Sequence, residues 1–233
     1  HGGMDGYVQA KRRIFRNQPP HDWAIVGVDD TRSQVMATQL TAEGLRKVIT
    51  ISAEYGLGRG VSVLEGALCD SMMGRAGPPH DIAKARALPG RHNHQNAAAA
   101  YAACRALGLE SSDILNAIET FPGLPHRLET IGVIEGVRFI NASKATNAQA
   151  AEQALRAFPN AWWIVGGRQK EEGIDDLAPF FSHITKAYLI GESTEAFARV
   201  LAGKLEADKS RTIDVAVEAA FNDARASGVA NPV

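Results

Sequence analysis

"RFINASKATNAQAAEQAL" (residues 138–155) opens on a short run of strand-forming residues and passes through a loop holding Ser143, Lys144, Thr146 and Asn147. It then settles into apolar spacing that predicts a helix over 147–158. A strand that enters a helix through a short polar loop is the repeating unit of a parallel sheet. "WWIVGG" (162–167) and "AYLIGE" (187–192) repeat the strand, and helical spacing over 175–183, 195–203 and 214–226 supplies the partners. The fold class is therefore α/β. In an open parallel sheet, ligands bind beyond the carboxyl ends of the strands, where helix N-termini offer unpaired N–H groups and a positive dipole end. If the strands of 138–141 and 162–167 are neighbours, "GGRQK" (166–170) carries Arg168 and Lys170 to the same rim as Lys144. Three cations beside hydroxyl and amide groups suit a phosphate or a carboxylate, and with no carboxylate in either stretch they do not suit a metal. The plainer alternative is that Thr146 or Asn147 only caps a helix while the lysines stay solvated.

Upstream, "PGLPHR" (122–127) interrupts the pattern with two prolines and a glycine and marks the domain boundary. Before it, "WAIVGVDD" (23–30) is an apolar run ending in two carboxylates, as a buried parallel strand ends at a loop. "KVITISAEY" (47–55) and "GVSVLEGAL" (60–68), either side of "GLGRG" (56–60), read as neighbouring strands joined by a turn. Two helices follow over 92–121, divided at Gly108 and restarted by Ser111 and Ser112. In the first helix Met4, Tyr7, Ala10, Ile14 and Phe15 recur at helical spacing and place Lys11 on the inward face. A buried ammonium needs a partner, unless the side chain snorkels to water or pairs with a nearby acid. Asn93 and Asn96, three apart, share a helix face and either read a base edge or cap the helix. His92 and His94, two apart, do not share a face, which argues for capping or surface placement over metal ligation.

The totals exclude several classes. With 233 residues, 45% hydrophobic and 22% charged, and a net charge of −1, the chain has a globular composition and no electrostatic footprint for nucleic acid or an anionic membrane. Cys69 and Cys104 lie in apolar segments without CxxC spacing, which implies reduced thiols and a cytoplasmic setting. No run approaches the roughly 20 apolar residues of a membrane span, and residues 1–20 show no signal-peptide core. The start at His1 and the stop after "GVANPV" (228–233), which reads as the loop before a further strand, suggest a piece of a larger protein.

Taken together and in order, "MDGYVQAKRRIF", "HNHQNAAAA", "FPGLPHRLE", "INASKATN" and "GGRQK" resemble the Mur ligases, and within them the branch that adds D-glutamate. The resemblance runs along the whole chain and implies the following. Residues 1–122 would be the remainder of a P-loop-type central ATP-binding domain, without its P-loop part. Residues 123–233 would be a Rossmann-like C-terminal Mur ligase domain without its last strands. The activity would be ATP-dependent joining of D-glutamate to UDP-N-acetylmuramoyl-L-alanine through an acyl phosphate, with Mg2+, in peptidoglycan precursor synthesis. Lys11 matches the lysine that the family carbamylates to hold Mg2+. Asn93 and Asn96 match amides near the adenine, and Arg127 and Lys144 match nucleotide contacts. Thr146 and Lys170 match residues that hold D-glutamate. Three positions depart from the pattern: Ala142 replaces an Asp that contacts the ribose, Arg168 stands where some members have an acid, and His1 does not match the family's magnesium-binding histidine. Having no GxxxxGK[ST] pattern, the chain is expected to be inactive alone, and an unpaired sheet edge is expected to favour self-association or low stability. Two other readings stay open: a sister ligase such as a folylpolyglutamate synthetase, and a stand-alone module that binds a nucleotide or amino acid without turnover.

Overall fold

A computed structural model describes residues 2–168, 173–230 and 232–233, and the chain divides into two compact units, His1–Phe121 and Pro122–Val233. The first unit carries a five-stranded sheet in the order β1 (Trp23–Gly27), β2 (Lys47–Ser52), β3 (Val61–Leu64), β4 (Ala67–Asp70) and β5 (His80–Asp81). Strands β1 to β3 are parallel, and β3, β4 and β5 are antiparallel. Two details correct the sequence reading. "GVSVLEGAL" is a hairpin rather than one strand, because Glu65 (φ 50°) and Gly66 (φ 83°) both take the left-handed conformation that tight hairpin turns require. Strands β2 and β3 are neighbours as expected, but they run parallel, so 53–60 is a crossover and not a reversing turn.

Alternation along β1 divides the core. Ala24, Val26 and Val28 pack on α2 (Thr31–Glu43) through Ala37 and Leu40, whereas Trp23 and Ile25 lie with the cluster on the other face. That second face is covered by α3 (Arg91–Ala106), whose Ala97, Ala98 and Ala102 allow close approach, with α4 (Ser111–Thr120) behind it. The first helix, α1 (Gly3–Arg12), buries none of its residues. Arg12 bonds to Gln39 (3.0 Å) and to Glu43 on α2.

In the second unit a parallel sheet runs in the order β10 (Ala207–Arg211), β9 (Ile184–Ile190), β8 (Ala161–Gly166). Ala187 and Leu189 face the cluster with α5 (Ala148–Ala157) and α6 (Thr194–Leu201), and Tyr188 faces α7 (Ile213–Ala226). Residues Asp175–His183 form 3-10 turns, since Pro179 lacks the N–H a continuous α-helix needs. The neighbourhood expected for the two loop-bearing strands is not found. Strand β7 (Val137–Asn141) pairs antiparallel with β6 (Glu129–Ile134) in its own two-stranded sheet. Arg138 N donates to Pro232 O (2.8 Å) and Trp162 N to Val233 O (2.7 Å), so 232–233 lie between β7 and β8.

Candidate functional site

At the carboxyl end of β1 in the first unit, Asp29 accepts from Ser52 Oγ (2.5 Å), Ala53 N (2.8 Å) and Gln95 Nε2 (2.7 Å). One carboxylate thus ties the ends of β1 and β2 to the start of α3. Asp30 next to it caps α2, its Oδ1 accepting from Ser33 N (2.9 Å), and the Ser33 hydrogen bonds hold its carboxyl below the ordinary carboxylate value. Asp30, Ser33, Gln95 and Lys11 line a cavity of about 490 Å³ floored by Phe15, Ile25 and Met36.

Lys11 is not inward. It is exposed, and its Nζ lies 5.3 Å from the centroid of the Tyr7 ring one turn earlier. The apolar side of α1 that suggested burial is open as well, with Tyr7 56% and Ile14 75% exposed, and a solvated ammonium avoids the desolvation that burial would impose. On α3, Asn93 Nδ2 donates to Pro89 O (2.8 Å), so part of this amide serves the helix start, while Asn96 is exposed. Burial lowers the pKa of His92, with the neighbouring His94 adding to it, and burial also lowers that of His94. His92 Nδ1 is buried without a partner. No cluster of three or more His, Cys, Asp or Glu able to hold a metal exists among the described residues.

In the second unit the "GLPHR" turn and the "SKATN" loop are joined. His126 N donates to Glu129 Oε2 (2.8 Å), His126 O accepts from Lys144 N (3.1 Å), and Asn141 Nδ2 meets His126 Nδ1 at 2.9 Å. His126 (φ 66°) and Leu128 (φ 51°) hold left-handed backbone on both sides of Arg127, strain that these bonds sustain. Asn141 Oδ1 also accepts from Ser143 N (3.0 Å), and Asn147 caps α5 by accepting from Ala150 N (2.8 Å). Arg127, Lys144 and Thr146 are exposed. Arg127 and Lys144 therefore share one braced turn-and-loop pair, with Thr146 two residues further along the loop. Arg168 faces Glu192 (3.2 Å) at a largely exposed site, and Lys170 lies outside the described residues. The sequence reading gave no role to Asp29, Gln95, His126, Glu129 or Asn141, although Asp29 is one of the paired carboxylates ending "WAIVGVDD" and the other four lie within "HNHQNAAAA", "FPGLPHRLE" and "INASKATN".

The chain matches the model of the Mur ligase middle domain over residues 1–104 and that of the Mur ligase, glutamate ligase domain over residues 126–230. It is 54% identical over 228 residues to the UDP-N-acetylmuramoylalanine--D-glutamate ligase of Caulobacter vibrioides, covering 98% of this chain and 48% of that protein. It thus spans about half the length of the curated relatives it matches. Its fold is that of MurF from Acinetobacter baumannii (TM-score 0.67, 22% identity, 95% of this chain and 50% of that one). A folylpolyglutamate synthase from Thermotoga maritima shares the fold too (TM-score 0.65, 13% identity, 100% of this chain and 55% of that one). Both units thus carry the sequence pattern of one group of proteins, and the chain belongs to the Mur ligase family.

Proposed function

We propose that this chain is the middle-to-C-terminal portion of a cytoplasmic ATP-dependent ligase that joins D-glutamate to UDP-N-acetylmuramoyl-L-alanine in peptidoglycan precursor synthesis. The observation that carries this reading is 54% identity along nearly the whole chain to a D-glutamate ligase, together with the braced pair of loops bearing Arg127, Lys144 and Thr146. A sister ligase acting on folate shares only the fold, at 13% identity, and nothing in the loops favours it.

In this reaction the substrate carboxylate attacks the γ-phosphorus of ATP and ADP leaves. The amine of D-glutamate then attacks the acyl carbon, and phosphate leaves. The residues of this chain act by positioning and charge neutralisation. Asn93 and Asn96 contact the adenine, Arg127 and Lys144 hold the phosphates, and Thr146 and Lys170 orient D-glutamate. The exposed Lys11 amine is open to carbon dioxide, and its carbamate would be a hard oxygen ligand beside Asp30 on the cavity wall. Lys11, as carbamate, and Asp30 would hold Mg2+, a small set of oxygen donors of the kind that ion takes from a protein, in keeping with the absence of a cluster of three or more His, Cys, Asp or Glu among the described residues. When bound, Mg2+ supplies neutralisation of phosphate charge.

The test is a chimera in which this chain replaces the matching half of the Caulobacter vibrioides relative. Phosphate release that depends on both UDP-N-acetylmuramoyl-L-alanine and D-glutamate is expected. A folded chimera that works only with another amino acid overturns the reading.

A further inference from the structure

The side-chain amide of Asn141 is oriented by one neighbour and constrains another. Its Oδ1 accepts from Ser143 N (3.0 Å), so the atom that meets the His126 ring at 2.9 Å is the Nδ2 donor. Turning the amide over would set Nδ2 against Ser143 N, donor against donor. The ring nitrogen that faces Asn141 is Nδ1, and to receive a donor it must carry no proton. His126 is therefore neutral in this arrangement, with its one ring proton on Nε2. Asn141 makes the only hydrogen bond to the ring among the described residues.

Protonation removes that acceptor. An imidazolium donates from both nitrogens, so Nδ1–H and the Asn141 amide oppose each other, and either the ring swings away or the amide leaves Ser143 N. Both outcomes loosen the join between the turn of 122–128 and the loop of 142–147, where only the bond from Lys144 N to His126 O (3.1 Å) is left. The backbone at the join is poised to respond, since the left-handed conformations of His126 (φ 66°) and Leu128 (φ 51°) persist only while their surroundings hold them. Three charged residues surround the ring. Glu129, the partner of Asn141 across β6 and β7, accepts from His126 N (2.8 Å), Arg127 follows in the chain, and Lys144 lies across the join.

We propose that Asn141 and His126 form a proton-operated latch, closed while His126 is neutral and opened when it takes up a proton, which sets how firmly Arg127 and Lys144 are held together. Its bearing on ligand binding rests on the proposed role of Arg127 and Lys144, whereas the latch itself stands on the hydrogen bonds alone.

The experiment is NMR of the 233-residue chain between pH 8 and pH 5, the interval in which imidazoles ordinarily change charge. Ring nitrogen shifts report the tautomer of His126, and exchange protection of the Ser143 and Lys144 amides, corrected for the intrinsic effect of pH, reports the join. The wild type is expected to show the Nε2–H tautomer at pH 8 and to lose about fivefold of the protection at both amides as the ring protonates, the effect of one net hydrogen bond. His126→Asn keeps an acceptor, takes up no proton and suits left-handed backbone, so its protection should hold at pH 5. Asn141→Asp offers the ring an acceptor instead of a donor and should move the proton of the neutral ring to Nδ1. An Nδ1–H tautomer in the wild type at pH 8, or protection that stays level while the ring protonates, overturns the proposal without recourse to any variant. Protection that falls equally in the wild type and in His126→Asn overturns it too. In calorimetry with pyrophosphate, the wild type should weaken about fivefold relative to His126→Asn on going from pH 8 to pH 5. Relative tightening would make His126 one more cation rather than a latch and would overturn the proposal. Should pyrophosphate bind neither protein, the ligand role of Arg127 and Lys144 falls, and the tautomer and amide signals still decide the latch.

Discussion

Replacing Gly166 with Ala should disable the second unit, and the size of the effect follows from the spacing of two strands. A Cβ built on Gly166 would stand 1.9 Å from the carbonyl oxygen of Ile190 and 2.7 Å from its carbonyl carbon. Both atoms are backbone of the adjacent strand β9, so no side-chain rotation relieves the clash. Reaching ordinary contact requires the ends of β8 and β9 to part by about 1.5 Å, far more than close-packed interiors absorb without rearrangement. The bonds at stake are Gly167 N to Ile190 O (3.3 Å) and the two that Ser193 makes to Gly167 O, from its N (3.0 Å) and its Oγ (2.8 Å). Ser193 is buried, so its own N–H and hydroxyl find little water in compensation, whereas Gly167 is exposed. At about 1 kcal/mol for each bond, with a similar amount for overpacking, the loss is about 4 kcal/mol. For a unit of this size that lowers Tm by about 15–30 °C. The assay is thermal unfolding by circular dichroism, with Gly132→Ala as control, since a Cβ at Gly132 meets nothing within 4 Å. If Gly166→Ala melts within 2 °C of the wild type, the strand spacing argued here is wrong.

Lys186 Nζ lies within 3.4 Å of Glu206, Asp208 and Asp223, and the hydrogen bonds it donates to Asp208 and then to Asp223 raise its pKa. Lys186→Met leaves these acids facing one another, and a loss of about 1–2 kcal/mol is expected by urea denaturation, smaller at 0.5 M salt than at 0.05 M if repulsion is the cause. His92 has its pKa lowered by burial, so the unfolded chain binds the proton more readily than the folded one. Stability should therefore fall as pH drops below the ordinary histidine value of 6.5 and level off below the folded pKa, a slope that His92→Asn should flatten in melts taken from pH 7.5 to 5. Asn141→Ala removes the bonds to His126 and Ser143 that brace the turn and loop bearing Arg127 and Lys144, so pyrophosphate binding to the chain, followed by calorimetry, should weaken about five-fold, and unchanged affinity would remove Asn141 from the site.

The alternation of strand and helix after residue 138 was legible because β-forming runs and helical spacing are local properties, and the boundary at "PGLPHR" was legible because proline and glycine interrupt both. Strand adjacency was not legible. Whether β7 lies beside β8 depends on Glu135 and Gly136 turning β6 back onto β7, and on what lies between, both of which are tertiary matters. Lys11 misled for a related reason: periodicity identifies the apolar side of a helix but not what covers it, and here Met4, Tyr7 and Ile14 stand open. Residues 31–43 gave little periodic signal, since α2 buries only Ala37 and Leu40.

What the sequence concealed most is the group of residues that hold other residues. Arg127, Lys144, Asn93 and Asn96 lie in stretches that carry the family pattern, and under the proposed function a ligand would constrain them directly. Asp29, Gln95, His126 and Asn141 show their part only through three-dimensional bonds to distant positions, Asp29 to Gln95 across 66 residues and Asn141 to His126 across 15, even where they lie inside the same stretches. The two units solve the same problem in different ways. In the first, an acceptor-only carboxylate at a strand end fixes the orientation of an amide on a helix. In the second, strained left-handed backbone at His126 and Leu128 sets out Arg127, and Asn141 ties that turn to the loop bearing Lys144. Holding the turn costs strain, whereas holding the amide costs only the choice of glycine at 27, where a Cβ would stand 3.0 Å from Gln95 Nε2, so the braced turn should be the more sensitive to changes in its supporting bonds.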